Sequence, residues 1–191
     1  TMWGKYWYRS AINTSMTLEL QGIVKEITSR VKLKDDDIWL DIACNDGTLL
    51  KAVPDNLNKV GIDPCDDSFY AESSKVATVV QDYFSKDAWK KTKFADKKAK
   101  VITSFAMFYD LERPLDFVAQ IQKVLHQDGI WVFEQSYLPL MLETNAYDTV
   151  CHEHLEYYGL AQVEWILNKV GMHVVGVELN DTNGGSFSVM A

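Results

Sequence analysis

At 191 residues, 47% of them apolar and 12% aromatic, the chain has the material for one globular core, and its composition excludes disorder. Its net charge of −8 offers no basic stripe for phosphates and argues against a nucleic-acid partner. Three cysteines (Cys44, Cys65, Cys151) without a C-x-x-C pair point to neither a disulfide framework nor a metal site and fit a reducing cytoplasm. No apolar run reaches the ~18 residues of a membrane span.

The first ten residues crowd Trp3, Tyr6, Trp7 and Tyr8 together. In an extended segment Tyr6, Tyr8 and Ser10 point the same way, so these rings either pack on the body of the domain or wall a ligand site. Asn13 or Thr14 caps a helix running to about Arg30. Met16, Leu20, Ile23, Ile27 and Val31 form its buried stripe. Lys32 to Asp37 is a charged loop.

Trp39 to Leu50 (WLDIACNDGTLL) reads as a buried strand, a tight small-residue turn and a helix start, the first unit of a nucleotide-binding α/β fold. Small residues let backbone N–H groups approach a ligand, and the helix start adds a partial positive charge. The dinucleotide fingerprint would place its small residues at 43, 45 and 48, where this chain has Ala, Asn and Thr. The acid-x-G-x-G-x-G pattern of enzymes using S-adenosylmethionine (SAM) registers as Asp41, Ala43, Asn45 and Gly47, with Cys44 inside it. One glycine survives, so the turn alone leaves an ordinary strand-to-helix connection open.

A second apolar run, Lys59 to Asp63, ends in an acid 22 positions after Asp41. An acid there accepts hydrogen bonds from ribose hydroxyls, or caps the next helix with Pro64 at its first position; both can hold. Val76 to Val80 is a third strand closed by Gln81-Asp82-Tyr83-Phe84. Asp82, Tyr83 and Phe84 stand where adenine is contacted, although Phe84 as core and Asp82 as a cap remain open. Asp87 to Lys100 is lysine-rich and solvated. Lys100 to Phe105 is a fourth strand, whose end carries Ser104 and Phe105. Pro114 starts a helix with Leu115, Val118, Ile121 and Leu125 buried, and Gln127-Asp128-Gly129 stops it. Ile130 to Phe133 is a fifth strand ending in Glu134. Strands and helices alternating in this way imply a doubly wound sheet with ligands beyond the strands' carboxyl ends, around Asn45, Asp63, Asp82, Ser104 and Glu134.

Residues 135–158 form an insertion without regular periodicity, ending in DTVCHEHLEYY. His152 and His154 there allow a metal site, a helix start with solvated charges, or acid–base chemistry. H-E-H lacks the H-E-x-x-H spacing, and histidine's pKa near 6.5 suits proton transfer at neutral pH. Leu160, Val163, Leu167 and Val170 mark a further helix. His173 to Val177 and Ser186 to Met190 are two strands joined without a helix, so the last should run antiparallel.

Taken together, YWYRSAINTSM, LDIACNDGTLL, VGIDP, VVQDYFS, WVFEQSYLPLML, YDTVCHEHLEYY and NDTNGGSFSV resemble the SAM-dependent sugar C-methyltransferases, which act on nucleotide-linked keto-sugars. The resemblance runs over nearly the full chain. It implies a Rossmann-like class I methyltransferase fold: a mostly parallel seven-stranded sheet with an antiparallel last strand and helices on both faces. It implies one domain over 1–191, with an N-terminal aromatic segment and helix (1–31), a SAM-binding core (32–134), an active-site insertion (135–158) and a closing helix and hairpin (159–191). The cofactor is then SAM, with S-adenosylhomocysteine as product. The acceptor is a small molecule, with a nucleotide-linked sugar as the family's choice.

The implied mechanism begins when a base removes the proton beside a keto group, after which the enolate carbon attacks the sulfonium methyl. His154 matches the base, Glu153 lies beside it to orient the imidazole, and Tyr6 or Tyr8 matches a tyrosine approaching the substrate. The family's zinc-module cysteines are missing, so the chain resembles the middle of a three-part protein, trimmed or reduced. Cys151 replaces a tyrosine common before H-E-H, and Phe108 or Tyr109 stands where a histidine is usual. Those departures leave O- or N-methylation, or a catalytically silent SAM-binding domain, as rival readings.

Overall fold

Apolar runs and helical stripes alternate along the chain, and the backbone follows them. The structure, a computed structural model, describes residues 9–191, so the Trp3, Tyr6, Trp7 and Tyr8 cluster lies outside the described residues. Seven helices alternate with seven strands. The first half carries α1 (Thr14–Arg30), β1 (Ile38–Ile42), α2 (Thr48–Ala52), β2 (Asn58–Ile62), α3 (Asp67–Ser73), β3 (Thr78–Val80), α4 (Lys86–Trp89) and β4 (Ala99–Phe105). Then follow α5 (Pro114–Val124), β5 (Leu125–Ser136), α6 (Leu138–Thr144), α7 (Leu160–Lys169), β6 (Gly176–Asn180) and β7 (Ser186–Met190).

The strands hydrogen-bond in the order β3-β2-β1-β4-β5-β7-β6. β1 with β2 and β2 with β3 are parallel, whereas β7 is antiparallel to both β5 and β6. The expected mostly parallel sheet with an antiparallel last strand is therefore present. Its order reverses after β3, and sheets of this kind gather ligands at the carboxyl ends of strands where the order reverses.

The chain divides into two compact units. One runs up to Thr103 and includes Val124–Gly129; the other holds Ser104–Lys123 and Ile130–Ala191. In the first, Asn13 caps α1 by accepting from the N–H of Ser15 (3.0 Å) and Met16 (3.4 Å). The buried face of α1 is Leu20, Val24 and Ile27; Met16 and Ile23 are half-covered, and Val31 ends the helix in extended conformation. β1 and β2 place Trp39, Leu40, Val60 and Ile62 at zero exposure. The Trp39 indole N–H donates to Thr103 Oγ1 at 3.1 Å, which satisfies the one polar atom of a fully buried ring. Within the lysine-rich segment after β3, α4 buries Ala88 and Trp89.

In the second unit an aromatic cluster is the core. Trp131 stacks on Phe133 at 4.1 Å between ring centres, and Phe108 packs on both at 5.7 and 5.3 Å. Tyr158 closes on Phe108 at 5.3 Å. Here several expected boundaries move. α5 ends at buried Val124, so Leu125 belongs to β5, which runs through the expected stop at Gln127-Asp128-Gly129; Leu115 is exposed, and Phe117 takes its place inside. β6 begins at Gly176, because the His173 ring is held to Asn168 at the end of α7 (2.8 Å). The 135–158 segment contains a helix, α6, with Pro139 near its start. No helix among the described residues is long and apolar enough to cross a membrane.

Gly61, in the middle of β2, has no room for a side chain: an added Cβ would stand 2.5 Å from Cys44 Sγ. Gly61→Ala should lower unfolding free energy by about 1–3 kcal/mol through overpacking, and adding Cys44→Ala to that variant should restore part of it. Denaturant unfolding of the single and double variants checks both effects.

Candidate active site

In the first unit the turn between β1 and α2 has an alternating backbone. Ala43 (φ 58°), Asn45 (φ 51°) and Gly47 (φ 77°) all occupy the left-handed region. These are the three positions of the acid-x-G-x-G-x-G register, which explains why that register favours glycine. Asparagine tolerates the conformation; Ala43 takes it at a cost of roughly 1–2 kcal/mol. Successive residues of this kind form a concavity lined by backbone. Many of its N–H groups are nevertheless already bonded: Ala43 to Ile62 O, Gly47 to Cys44 O, and Asn45 to Asp63 Oδ2. The turn thus offers a ligand its shape more than its donors.

Asp63 stands at the tip of β2, 8% exposed. Its Oδ2 accepts from Asn45 N at 2.7 Å and its Oδ1 from Cys65 N at 2.8 Å, and the Cys65 thiol is a further hydrogen-bond partner of the carboxylate. Burial raises its pKa, against the pull of those backbone donors. Asp41 is buried beneath the turn, where Thr103 Oγ1 donates to it at 2.7 Å. Desolvation, with a smaller contribution from Asp63, pushes Asp41 up to about 7. Cys44 is buried and its thiol pKa is raised well above the ordinary value by burial, so it packs as a small apolar group. Pro64 is half-buried. After β3, the Tyr83 N–H donates to Asp82 (2.8 Å), whose carboxylate pairs with Lys91 (2.6 Å); Tyr83 is exposed and Phe84 half-buried.

Asp46 escaped the sequence analysis. It is 2% exposed; Oδ1 accepts from Thr48 N and Oγ1 and Oδ2 accepts from Ala11 N at 3.0 Å. With Asn45 Oδ1 accepting from Ser10 N (3.2 Å), it ties residues 10–11 to the turn. An acid two residues before a helix-starting threonine was the available signal.

In the second unit Ser104 is fully buried and accepts from the Trp131 indole (3.0 Å), while Phe105 is half-buried. The H-E-H run lies in irregular chain. The His154 ring packs against Tyr109 at a 41° tilt, 4.0 Å between centres, and its Nδ1 lies 2.6 Å from Thr149 O. A carbonyl only accepts, so Nδ1 carries the proton and Nε2 keeps its lone pair. The sequence expectation had Glu153 orienting this ring. Instead Glu153 lies 3.5 Å from His152 within a turn, and the Thr149 carbonyl holds His154. The Cys151 thiol first, and then the adjacent imidazoles, keep Glu153 below the usual carboxylate range. Tyr6 and Tyr8 lie outside the described residues.

Asp110, next to Tyr109, was also missed. Its Oδ1 is buried without a hydrogen-bond partner, and desolvation, aided by Glu153, raises its pKa to about 8. The remaining buried side-chain polar atoms without partners among the described residues are on Gln135, Ser136 and Tyr158, all in this unit.

The comparisons with known proteins come to bear on this geometry. The model of a methyltransferase domain family matches residues 16–177. The chain is 23% identical over 191 residues to the C-methyltransferase NovU of Streptomyces niveus, covering 100% of this chain but 46% of that relative, so it spans under half the relative's length. Its fold is similar to a Haloferax volcanii protein solved with the Trm112 methyltransferase activator (TM-score 0.71, 14% identity, 95% of this chain and 93% of that one). It is also similar to the magnesium protoporphyrin IX methyltransferase of Synechocystis PCC 6803 with bound S-adenosylhomocysteine (TM-score 0.64, 11% identity, 99% and 89%).

The sign of the Asp110 effect on stability follows from its raised pKa. The unfolded carboxyl ionises from its ordinary value near 3.8 upward while the folded one holds its proton to about 8, so folding stability falls as pH rises through that window. Asp41, raised to about 7, adds a slope of the same sign over a narrower range. Asp110→Asn should therefore gain stability relative to the parent as pH climbs, and match it in acid. Denaturant midpoints measured across the window test this.

Proposed function

The chain belongs to the methyltransferase domain family and is a SAM-dependent methyltransferase; from that premise we propose that it methylates the carbon beside a keto group of a nucleotide-linked sugar, with His154 as the base. The observation that carries this reading is the His154 ring, fixed by Tyr109 and the Thr149 carbonyl with Nε2 left to accept a proton. The distant relative NovU, a C-methyltransferase, supports it.

The residues around the β1 turn fit SAM. Asp63, at the tip of β2, is the acceptor we assign to the ribose hydroxyls, and Asp82, Tyr83 and Phe84 are the acid and rings we assign to adenine. Ala43, Cys44, Asn45 and Gly47 give a backbone concavity, with Pro64 as a further candidate contact. Asp41 and Asp63 hold negative charge against burial, so a cationic ligand nearby would ease both. SAM, when bound, supplies an electrophilic methyl to a carbon nucleophile.

His154 supplies the nucleophile by taking the proton next to the acceptor's carbonyl. The Thr149 carbonyl stabilises the imidazolium that forms, since its bond to Nδ1–H strengthens when the ring is charged. Tyr109 keeps the ring plane fixed. Tyr6 or Tyr8 completes the proposal as a hydrogen-bond donor to the enolate oxygen.

His154→Ala should lower kcat on a keto-sugar nucleotide by about 10²–10⁴-fold and leave S-adenosylhomocysteine affinity unchanged. A panel of keto-sugar and hydroxylated acceptors, assayed for methyl transfer beside calorimetric titration, reads both. Transfer only to hydroxyl acceptors would overturn the carbon-directed reading, and full activity in the variant would remove His154 from it.

A further inference from the structure

Buried polar groups in folded proteins are almost always hydrogen-bonded, so a concentration of unpartnered ones calls for an explanation. Among the described residues such atoms are Asp110 Oδ1, Gln135 Oε1 and Nε2, Ser136 Oγ and Tyr158 OH. All belong to the second unit, and the segments that carry them frame the His154 run. Tyr109 stacks on His154, and its carbonyl accepts from Leu155 and Glu156 N–H. Tyr158 pairs with Tyr137 in an isolated bridge, and its carbonyl accepts from Leu138 N–H.

Gln135 is the most demanding of them. It is 2% exposed, near the carboxyl end of β5, and both heteroatoms of its carboxamide lack partners. Side chains alternate along a strand, so Gln135 shares a face with Phe133 and Tyr137 and with Phe187 opposite it on β7. Phe133 packs on Phe108, which in turn packs on Tyr158. The carboxamide therefore follows directly after an aromatic wall, and neither of its heteroatoms is paired with a neighbour. Ser136 points to the other face of β5.

We propose that Gln135 recognises the methyl acceptor, with Nε2 donating to a carbonyl or hydroxyl oxygen and Oε1 accepting from a neighbouring hydroxyl. That donor–acceptor pair fits the hydroxy-ketone edge of a sugar, and apolar neighbours make the site reject an acceptor unable to pair with both atoms. The Tyr158 hydroxyl, on the ring that closes the same aromatic wall, is a further donor for that edge. The inference deepens the keto-sugar reading and rests on it for the acceptor's identity. It does not rest on it for the role of Gln135.

The test is Gln135→Met, which keeps length and volume but removes both polar atoms. If the carboxamide is unpartnered until an acceptor binds, the variant melts at or above the parent's temperature in the absence of ligands. It binds S-adenosylhomocysteine as the parent does, and loses about 10- to 100-fold in kcat/KM, chiefly through KM. A nucleotide-linked keto-sugar lacking the hydroxyl beside the carbonyl should lose much less on substitution than the hydroxylated parent sugar. A lower melting temperature would show the amide already paired in the folded protein and overturn the inference, as would unchanged kinetics. If the parent protein turns over only a hydroxylated acceptor, the keto-sugar reading fails and Gln135→Met is judged on that acceptor. If it turns over neither, the melting comparison alone decides.

Discussion

One carboxylate ties together two turns of the first unit. Asp63 accepts from Asn45 N at 2.7 Å and from Cys65 N at 2.8 Å, and so joins the turn after β1 to the turn after β2. The three left-handed residues at 43, 45 and 47 bend the first turn sharply, and the absence of a side chain at Gly61 lets Cys44 settle against β2. Shape comes from backbone conformation, and the acid locks it.

The second unit works by different means. Its core is aromatic, and the polar groups along its edge are left without partners in place of being satisfied by one another. Leaving a buried donor or acceptor unpaired costs about 1–3 kcal/mol. A protein tolerates such a cost where binding repays it, and functional sites are where local rules are broken. The same unit carries His154, whose ring is held by stacking and by a carbonyl in place of a carboxylate. That arrangement fixes the tautomer through a backbone carbonyl.

Much of this was legible in the residues. Strand, turn, helix, strand and acid arrived in order from Trp39 to Asp63, and periodicity located every helix that buries a wide apolar face. Glycine spacing was a poor guide because Ala43 and Asn45 adopt the conformation that glycine ordinarily supplies. Boundaries slipped where a contact distant in sequence decides them. β5 extends back to Leu125 despite a Gln-Asp-Gly stop, and β6 begins at Gly176. Gln135 and Asp110 were invisible for a related reason: each matters through partners it lacks, which local pattern does not record.

The central claim is that the methyl goes to carbon. Incubating the protein with SAM labelled with ¹³C at the methyl and a nucleotide-linked keto-sugar, then recording the carbon spectrum of the product, tests it directly. The account predicts a label bound to a ring carbon beside the former site of proton removal, with loss of that proton. A label bound to oxygen or nitrogen would contradict it and leave His154 as a base for a different bond.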